Sequence, residues 1–177
     1  MRPGALLAVA LASLLLATPA SAEDAKLASD RDEFLAERRG LMIGLGSWAV
    51  ASATAGAILL ATSPRGPDRD RRVFRQSMGS IFLAYALING ALAVGTLAGI
   101  EHQRESLRTP TAFAGTRRFA TETFAANALL DVVYVATGGM LWQNAHGALA
   151  RGAGAGIVVQ GGFLVAFDSL GASLYVH

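Results

Sequence analysis

Four long stretches of apolar residues dominate the chain, at residues 41–62, 79–100, 124–142 and 153–176. The first two contain no charged residue, the third contains only Asp131, and the fourth contains only Asp168. Each stretch has about the 20 residues that a helix needs to cross roughly 30 Å of hydrocarbon. Only helices and closed barrels satisfy their backbone in lipid, and these stretches lack the alternation of strands. The pattern therefore predicts an all-α fold, an integral membrane four-helix bundle that occupies residues 40–177.

The first 22 residues have the pattern of a secretory signal peptide. Arg2 supplies a positive start, an apolar core runs from Ala5 to Ala17, and Pro19 breaks it. The small residues Ala20 and Ala22 flank Ser21 in a typical cleavage pattern. The sequence therefore predicts a cleaved signal peptide at residues 1–22.

The next segment, residues 23–39, is polar and rich in helix-forming residues, with six acidic and four basic side chains. Leu27, Phe34 and Leu35 fall near one face of a helix. This spacing predicts a short amphipathic helix that lies at the periplasmic membrane surface before the first span.

The charges of the connecting segments set the predicted orientation. A cleaved signal peptide puts residue 23 on the periplasmic side, and the connection 63–78, with five arginines, then falls on the cytoplasmic side. Lys26 is the only lysine among 15 basic residues, which is typical of a GC-rich bacterial genome. We expect a multi-pass protein of the bacterial inner membrane with both termini periplasmic. The connection 101–123 is expected to hold at most a short helix around 116–123.

The composition agrees with a membrane protein and removes several classes of function. Hydrophobic residues make up 53% of the chain and charged residues only 16%, against about 25% in soluble domains. The net charge is only +2 and no basic stripe is interleaved with aromatic residues, so no nucleic acid is expected as a partner. There is no cysteine for thiol or iron–sulfur chemistry. We predict no catalytic residue, metal or cofactor; a metal held by the aspartates with His102 or His177 is a minor alternative.

Polar residues recur within the apolar stretches at the spacing that puts them on one helix face. Asn127, Asp131 and Tyr134 form one such line, and Ser47 and Thr54 share a face in the first stretch. A bundle can turn these lines inward and leave apolar side chains toward lipid. The sequence therefore predicts one buried polar cluster, made of Tyr85, Asn89, Asn127, Asp131, Tyr134, Gln160 and Asp168.

The two aspartates are expected at the same depth. Asp131 follows Phe124 by seven residues and Asp168 precedes Val176 by eight, in helices of opposite direction. Both carboxyl groups then lie about 10–12 Å below one membrane boundary. No lysine or arginine lies in the spans to neutralise them, so we predict that the cluster keeps at least one proton at pH 7.

The motif Asn127-x-x-x-Asp131-x-x-Tyr134, followed by Gln160-Gly-Gly-Phe-Leu-x-x-x-Asp168, resembles an uncharacterised bacterial family of small proteins with four transmembrane helices. The resemblance covers roughly residues 40–176. It implies a four-helix bundle and these polar positions as family features, and it implies no activity.

Three functions remain open at the level of the sequence. The first is a structural or accessory membrane protein with a fully paired polar cluster, packed against a partner protein or a second copy in the bilayer. The second is a pathway for protons, ions or small solutes that uses Asp131 and Asp168. The third is a membrane enzyme, which the sequence does not favour because no catalytic spacing is present. A continuous water-accessible line from Asn89 to the aspartates would favour the second function, and a dry, fully paired cluster would favour the first.

Overall fold

The computed structural model describes residues 18–63 and 68–176 of the chain. The apolar core of the predicted signal peptide, part of the arginine-rich connection and His177 lie outside the described residues. In the described residues, four helices follow one another: α1 (Thr18–Ala61), α2 (Arg69–Ser106), α3 (Pro110–Asn144) and α4 (Ala148–Leu174). All four are long and apolar enough to cross a membrane. The prediction of an all-α fold with four such helices is confirmed.

The helices are longer than the apolar stretches that predicted them. Helix α1 runs without interruption through residues 23–39 into the first apolar stretch, so this segment is helical but is not a separate helix. Buried side chains continue along one face from Phe34 and Leu35 to Leu45 and Ala49. Because this buried face continues on both sides of the exposed Gly40, the helix runs through this position without a break.

The connection between α2 and α3 is also shorter than expected. Helix α2 continues to Ser106, and Pro110 already begins α3, so only residues 107–109 link the two helices. Thr109 caps α3 by accepting a hydrogen bond from the backbone N–H of Ala112, and proline suits the first helical position. Leu107 is buried and anchors the connection. The short helix expected around 116–123 is therefore part of α3.

Helix α4 holds the bundle together, because it packs along both α2 and α3. Its glycines allow close contact: a Cβ atom on Gly154 would lie 2.5 Å from the carbonyl oxygen of Gly138 in α3. Gly156 faces Ile81 of α2 in the same way. Helix α1 packs along α2, whereas α2 and α3 hardly touch beyond their short connection. The bundle therefore has a gap between α2 and α3.

The end of the bundle near the α2–α3 connection has its own aromatic core. The ring of Phe34 lies 5.8 Å from that of Phe113 in an edge-to-face arrangement and 4.9 Å from that of Tyr175. Ile100 and Leu107 are buried in the same cluster. The first half of α1 thus packs on the ends of the other helices, beyond the apolar stretches.

Candidate functional site

Asp131 of α3 and Asp168 of α4 meet at the interface between these helices. Only 6% and 5% of their surfaces are exposed, and both side chains line the same cleft. Gly161 helps to bring the helices together here, because a Cβ atom at this position would lie 2.9 Å from Val135. A carboxylate can only accept hydrogen bonds, so the two groups can bond to each other only when one of them carries a proton.

The aspartate pair lies in the wall of a cleft of about 470 Å³, within the size range of small-molecule sites. The cleft follows the gap between α2 and α3, and Ile88 and Leu130 in its rim are more than half exposed. It therefore opens through the side of the bundle. Six of the seven predicted residues line it: Tyr85, Asn89, Asn127, Asp131, Tyr134 and Asp168.

The predicted residues occupy different depths in the cleft. Asn89 is 3% exposed and lies among the buried residues of α2, while Tyr85 is partly buried. Tyr134 is 51% exposed and Asn127 is also exposed, so both lie at the rim. The cluster therefore has a buried floor and an open edge. Most of the remaining wall is apolar: Met42, Leu45, Ile88, Leu92, Phe119, Phe124, Leu130, Leu164 and Phe167.

The buried floor contains polar atoms that have no protein partner. Among the described residues, four buried side-chain atoms make no hydrogen bond: Nε of Arg38, Nδ2 of Asn89, Oδ2 of Asp131 and the hydroxyl of Tyr175. The first three belong to residues that line the cleft. Each such group costs about 1–3 kcal/mol when it stays unpaired. The described part of the cluster therefore has buried hydrogen-bonding atoms that the protein itself does not pair.

Gln160 lies apart from the other six predicted residues. Its side chain is completely buried, accepts a hydrogen bond of 2.8 Å from Trp48 Nε1 and donates one of 3.0 Å to Ser52 Oγ. Gln160 shares a helix face with Asp168, but it lies two turns away and meets α1 instead of α3. The single cluster predicted from the sequence is thus two separate polar groups.

A family model matches residues 44–169, which is most of the chain and includes both aspartates. The chain belongs to DUF6992, a family of unknown function. Neither the curated proteins nor the solved structures contain a match to this DUF6992 chain. Whether the polar positions quoted above are features of the whole DUF6992 family stays a prediction, and so does its bacterial origin.

Sequence reasoning missed two groups of residues in this DUF6992 chain. The polar side chains of α1 that cross to α4 are Trp48 and Ser52, whereas Ser47 and Thr54 bond to carbonyl groups of their own helix. The ring of Trp48 is also stacked on Phe163 at 4.3 Å. A tryptophan and a serine four residues apart are the signal that could have indicated this face.

Arg38 was missed as well. Because it is charged, it was expected in the polar segment 23–39 and not in the site. Its side chain turns into the cleft instead. In the described part of the chain, no group of three histidine, aspartate or glutamate residues is arranged to hold a metal ion. The site thus combines an acid pair, two amides, two tyrosines and one guanidinium on a mostly apolar wall.

Proposed function

We propose that this chain is a multi-pass protein of the bacterial inner membrane whose cleft between α2 and α3 binds a lipid-soluble molecule. The observation that carries the proposal is the pair of unpartnered buried atoms, Asn89 Nδ2 and Asp131 Oδ2, in the wall of the cleft. A structural or accessory role alone would favour a paired cluster, because unpaired buried groups lower the stability of the fold.

A lipid environment for the outside of the bundle is supported by its exposed apolar side chains. Leu87 is 76% exposed, Leu129 72% and Val94 68%, all within the helices that are long enough to span a membrane. Soluble proteins rarely leave a continuous surface of this kind uncovered. In a bilayer, the gap between α2 and α3 opens toward the acyl chains, so a ligand would enter from the lipid.

The chemistry of the ligand follows from the two unpartnered atoms. Asn89 Nδ2 offers a hydrogen-bond donor, and Asp131 Oδ2 offers an acceptor. A hydroxyl group can satisfy both atoms, since it donates and accepts at once. The apolar walls then suit a hydrocarbon body, so the expected ligand is a hydrophobic molecule with a hydroxyl group.

Fluorescence can test this binding directly. The chain has no cysteine, so Leu130→Cys introduces a single site for a bimane label at the rim of the cleft. Leu129→Cys is the matched control, because Leu129 is its neighbour on α3 and does not line the cleft. Addition of hexadecanol to the protein in non-ionic micelles should change the bimane emission saturably at position 130 and not at position 129.

Asn89→Leu separates binding from folding. Asn89 Nδ2 makes no hydrogen bond in the protein, so leucine should fold and raise the stability of the empty protein by about 1 kcal/mol. The same change should weaken hexadecanol binding about tenfold through the lost hydrogen bond. Equal responses at positions 129 and 130, or unchanged binding by Asn89→Leu, would contradict the proposed function.

A further inference from the structure

Arg38 occupies the end of the cleft nearest to the aromatic core. It lies one helical turn after Phe34 on α1 and lines the same cleft as Asn89 and Asp131. Its side chain is partly buried, and its Nε atom is buried with no hydrogen-bond partner. A guanidinium group is always charged and presents its donors as a planar fork. Such a group, half removed from solvent, calls for an anionic partner.

The arginines near Arg38 are paired with carboxylates or with a backbone oxygen. Arg39 contacts Glu101 at 3.2 Å, Arg104 contacts Asp32 at 3.5 Å, and Arg118 contacts Glu122 at 2.7 Å. Arg117 donates to the backbone oxygen of Tyr175 at 3.2 Å. Within residues 22–63 and 68–176, Arg38 makes no ion pair of this kind. Its free charge faces the cleft.

We infer that Arg38 binds the anionic head group of the ligand, which is therefore a single-chain amphiphile with a carboxylate or phosphate at one end. This inference rests on the proposed function and adds the charge of the ligand to it. Arginine pairs with both kinds of anion through two parallel hydrogen bonds. The apolar wall between Arg38 and Asp131 would hold the hydrocarbon chain.

Arg38 and Asp131 are separate polar positions of one cleft. Arg38 lies one turn after Phe34, whose ring contacts Phe113 of the aromatic core, whereas Asp131 lies further along α3. A ligand with an acid group at Arg38 and a hydroxyl group at Asp131 would therefore satisfy both positions.

Arg38 lies outside the part of the chain that matches the family model. Residues 44–169 contain the aspartate pair and Asn89, whereas Arg38 precedes them. The head-group site is thus formed by the first half of α1 and the hydroxyl site by the part of the chain that matches DUF6992. The two can be tested independently.

The test uses the full chain with the bimane label on Leu130→Cys and three ligands of equal chain length: hexadecanol, hexadecanoic acid and hexadecyl phosphate. We expect the two anionic ligands to bind about tenfold more tightly than the alcohol, because a charge-assisted hydrogen bond exceeds a neutral one by that scale. Arg38→Gln should remove this preference. Arg39→Gln is the matched control, since Arg39 is exposed and paired with Glu101, and should keep it.

The outcomes separate the inference from the proposed function. The inference is overturned if the unmodified chain does not prefer anionic ligands, or if the preference survives Arg38→Gln. In either case, the proposed function still stands as long as hexadecanol binds. Failure of all three ligands to bind overturns both. Arg38→Met serves as a second neutral variant if Arg38→Gln does not fold, and the relative affinities of the acid and the phosphate identify the head group.

Discussion

Asp131 and Asp168 belong to different helices, yet both are buried and line the same cleft. The pair lies where α3 packs on α4, at a depth where both helices are apolar on their outer faces. Because two ionised carboxylates would repel each other in a buried site, we expect one of them to keep its proton and to donate it in a hydrogen bond to the other.

Substitutions at Asp131 should show this arrangement. Asp131→Asn should fold with nearly unchanged stability, since the amide can donate to Asp168. Asp131→Leu should destabilise the protein by about 1–2 kcal/mol, the scale of a hydrogen bond in a membrane, because it leaves Asp168 without its partner. Reversible unfolding in mixed micelles measures both, with Val132→Leu on the exposed neighbour as the control. Equal destabilisation by asparagine and leucine would argue against the hydrogen-bonded pair.

The second polar group makes a separate prediction. Gln160→Leu should destabilise the bundle by about 1–2 kcal/mol, because Trp48 Nε1 and Ser52 Oγ both lose their partner in a buried site. Thr54→Val is the control, since Thr54 bonds only to the carbonyl of Val50 in its own helix. The emission of Trp48 should also shift relative to the control. An unchanged midpoint of unfolding would mean that these two bonds contribute nothing to stability.

Two glycines of α4 provide a matched test of close helix packing. Gly154→Ala should destabilise the protein by about 1–3 kcal/mol, because its Cβ atom would lie 2.5 Å from the backbone of α3. Gly162→Ala should be neutral or stabilising by about 0.5–1 kcal/mol, since no atom lies within 4 Å and alanine favours the helix. Thermal unfolding of the two variants measures the difference. Similar midpoints would contradict the close contact between α3 and α4.

The signal peptide stays a prediction of the sequence. Cleavage after Ala22 would leave Glu23 at the new N-terminus and preserve Phe34 and Leu35, which anchor α1 in the aromatic core. The mass of the protein extracted from membranes should therefore correspond to residues 23–177. Ala22→Pro should block the cleavage next to the small-residue pattern. Recovery of a dominant species that still begins at Met1 would exclude a cleaved signal peptide.

The orientation in the membrane can be measured with single cysteines. Ser63→Cys, after α1, should be cytoplasmic, and Ser106→Cys, at the end of α2, should be periplasmic. An impermeant thiol reagent should therefore label position 106 and spare position 63 in intact spheroplasts. Lysed cells provide the control, in which both positions should react. Labelling of Ser63→Cys in intact cells would reverse the proposed orientation.

The sequence by itself determined the number and type of the elements, because membrane-spanning helices depend on local properties. About 20 apolar residues without charge are enough to predict a span, and helix geometry puts Asp131 and Asp168 at one depth. The ends of the helices were not predictable in this way. Residues 23–39 and 101–123 are polar, and their helices continue because Phe34, Leu107 and Phe113 meet in a core formed by distant segments.

Only the tertiary structure decided which polar residues belong together. Gln160 and Asp168 share a face of α4, yet Gln160 meets Trp48 of α1 while Asp168 meets Asp131 of α3. The sequence specifies the direction of a side chain around its own helix, but its partner depends on which helix lies opposite at that depth. The cleft has the same origin: it exists because the glycines of α4 draw α2 and α3 onto that helix and leave a gap between them.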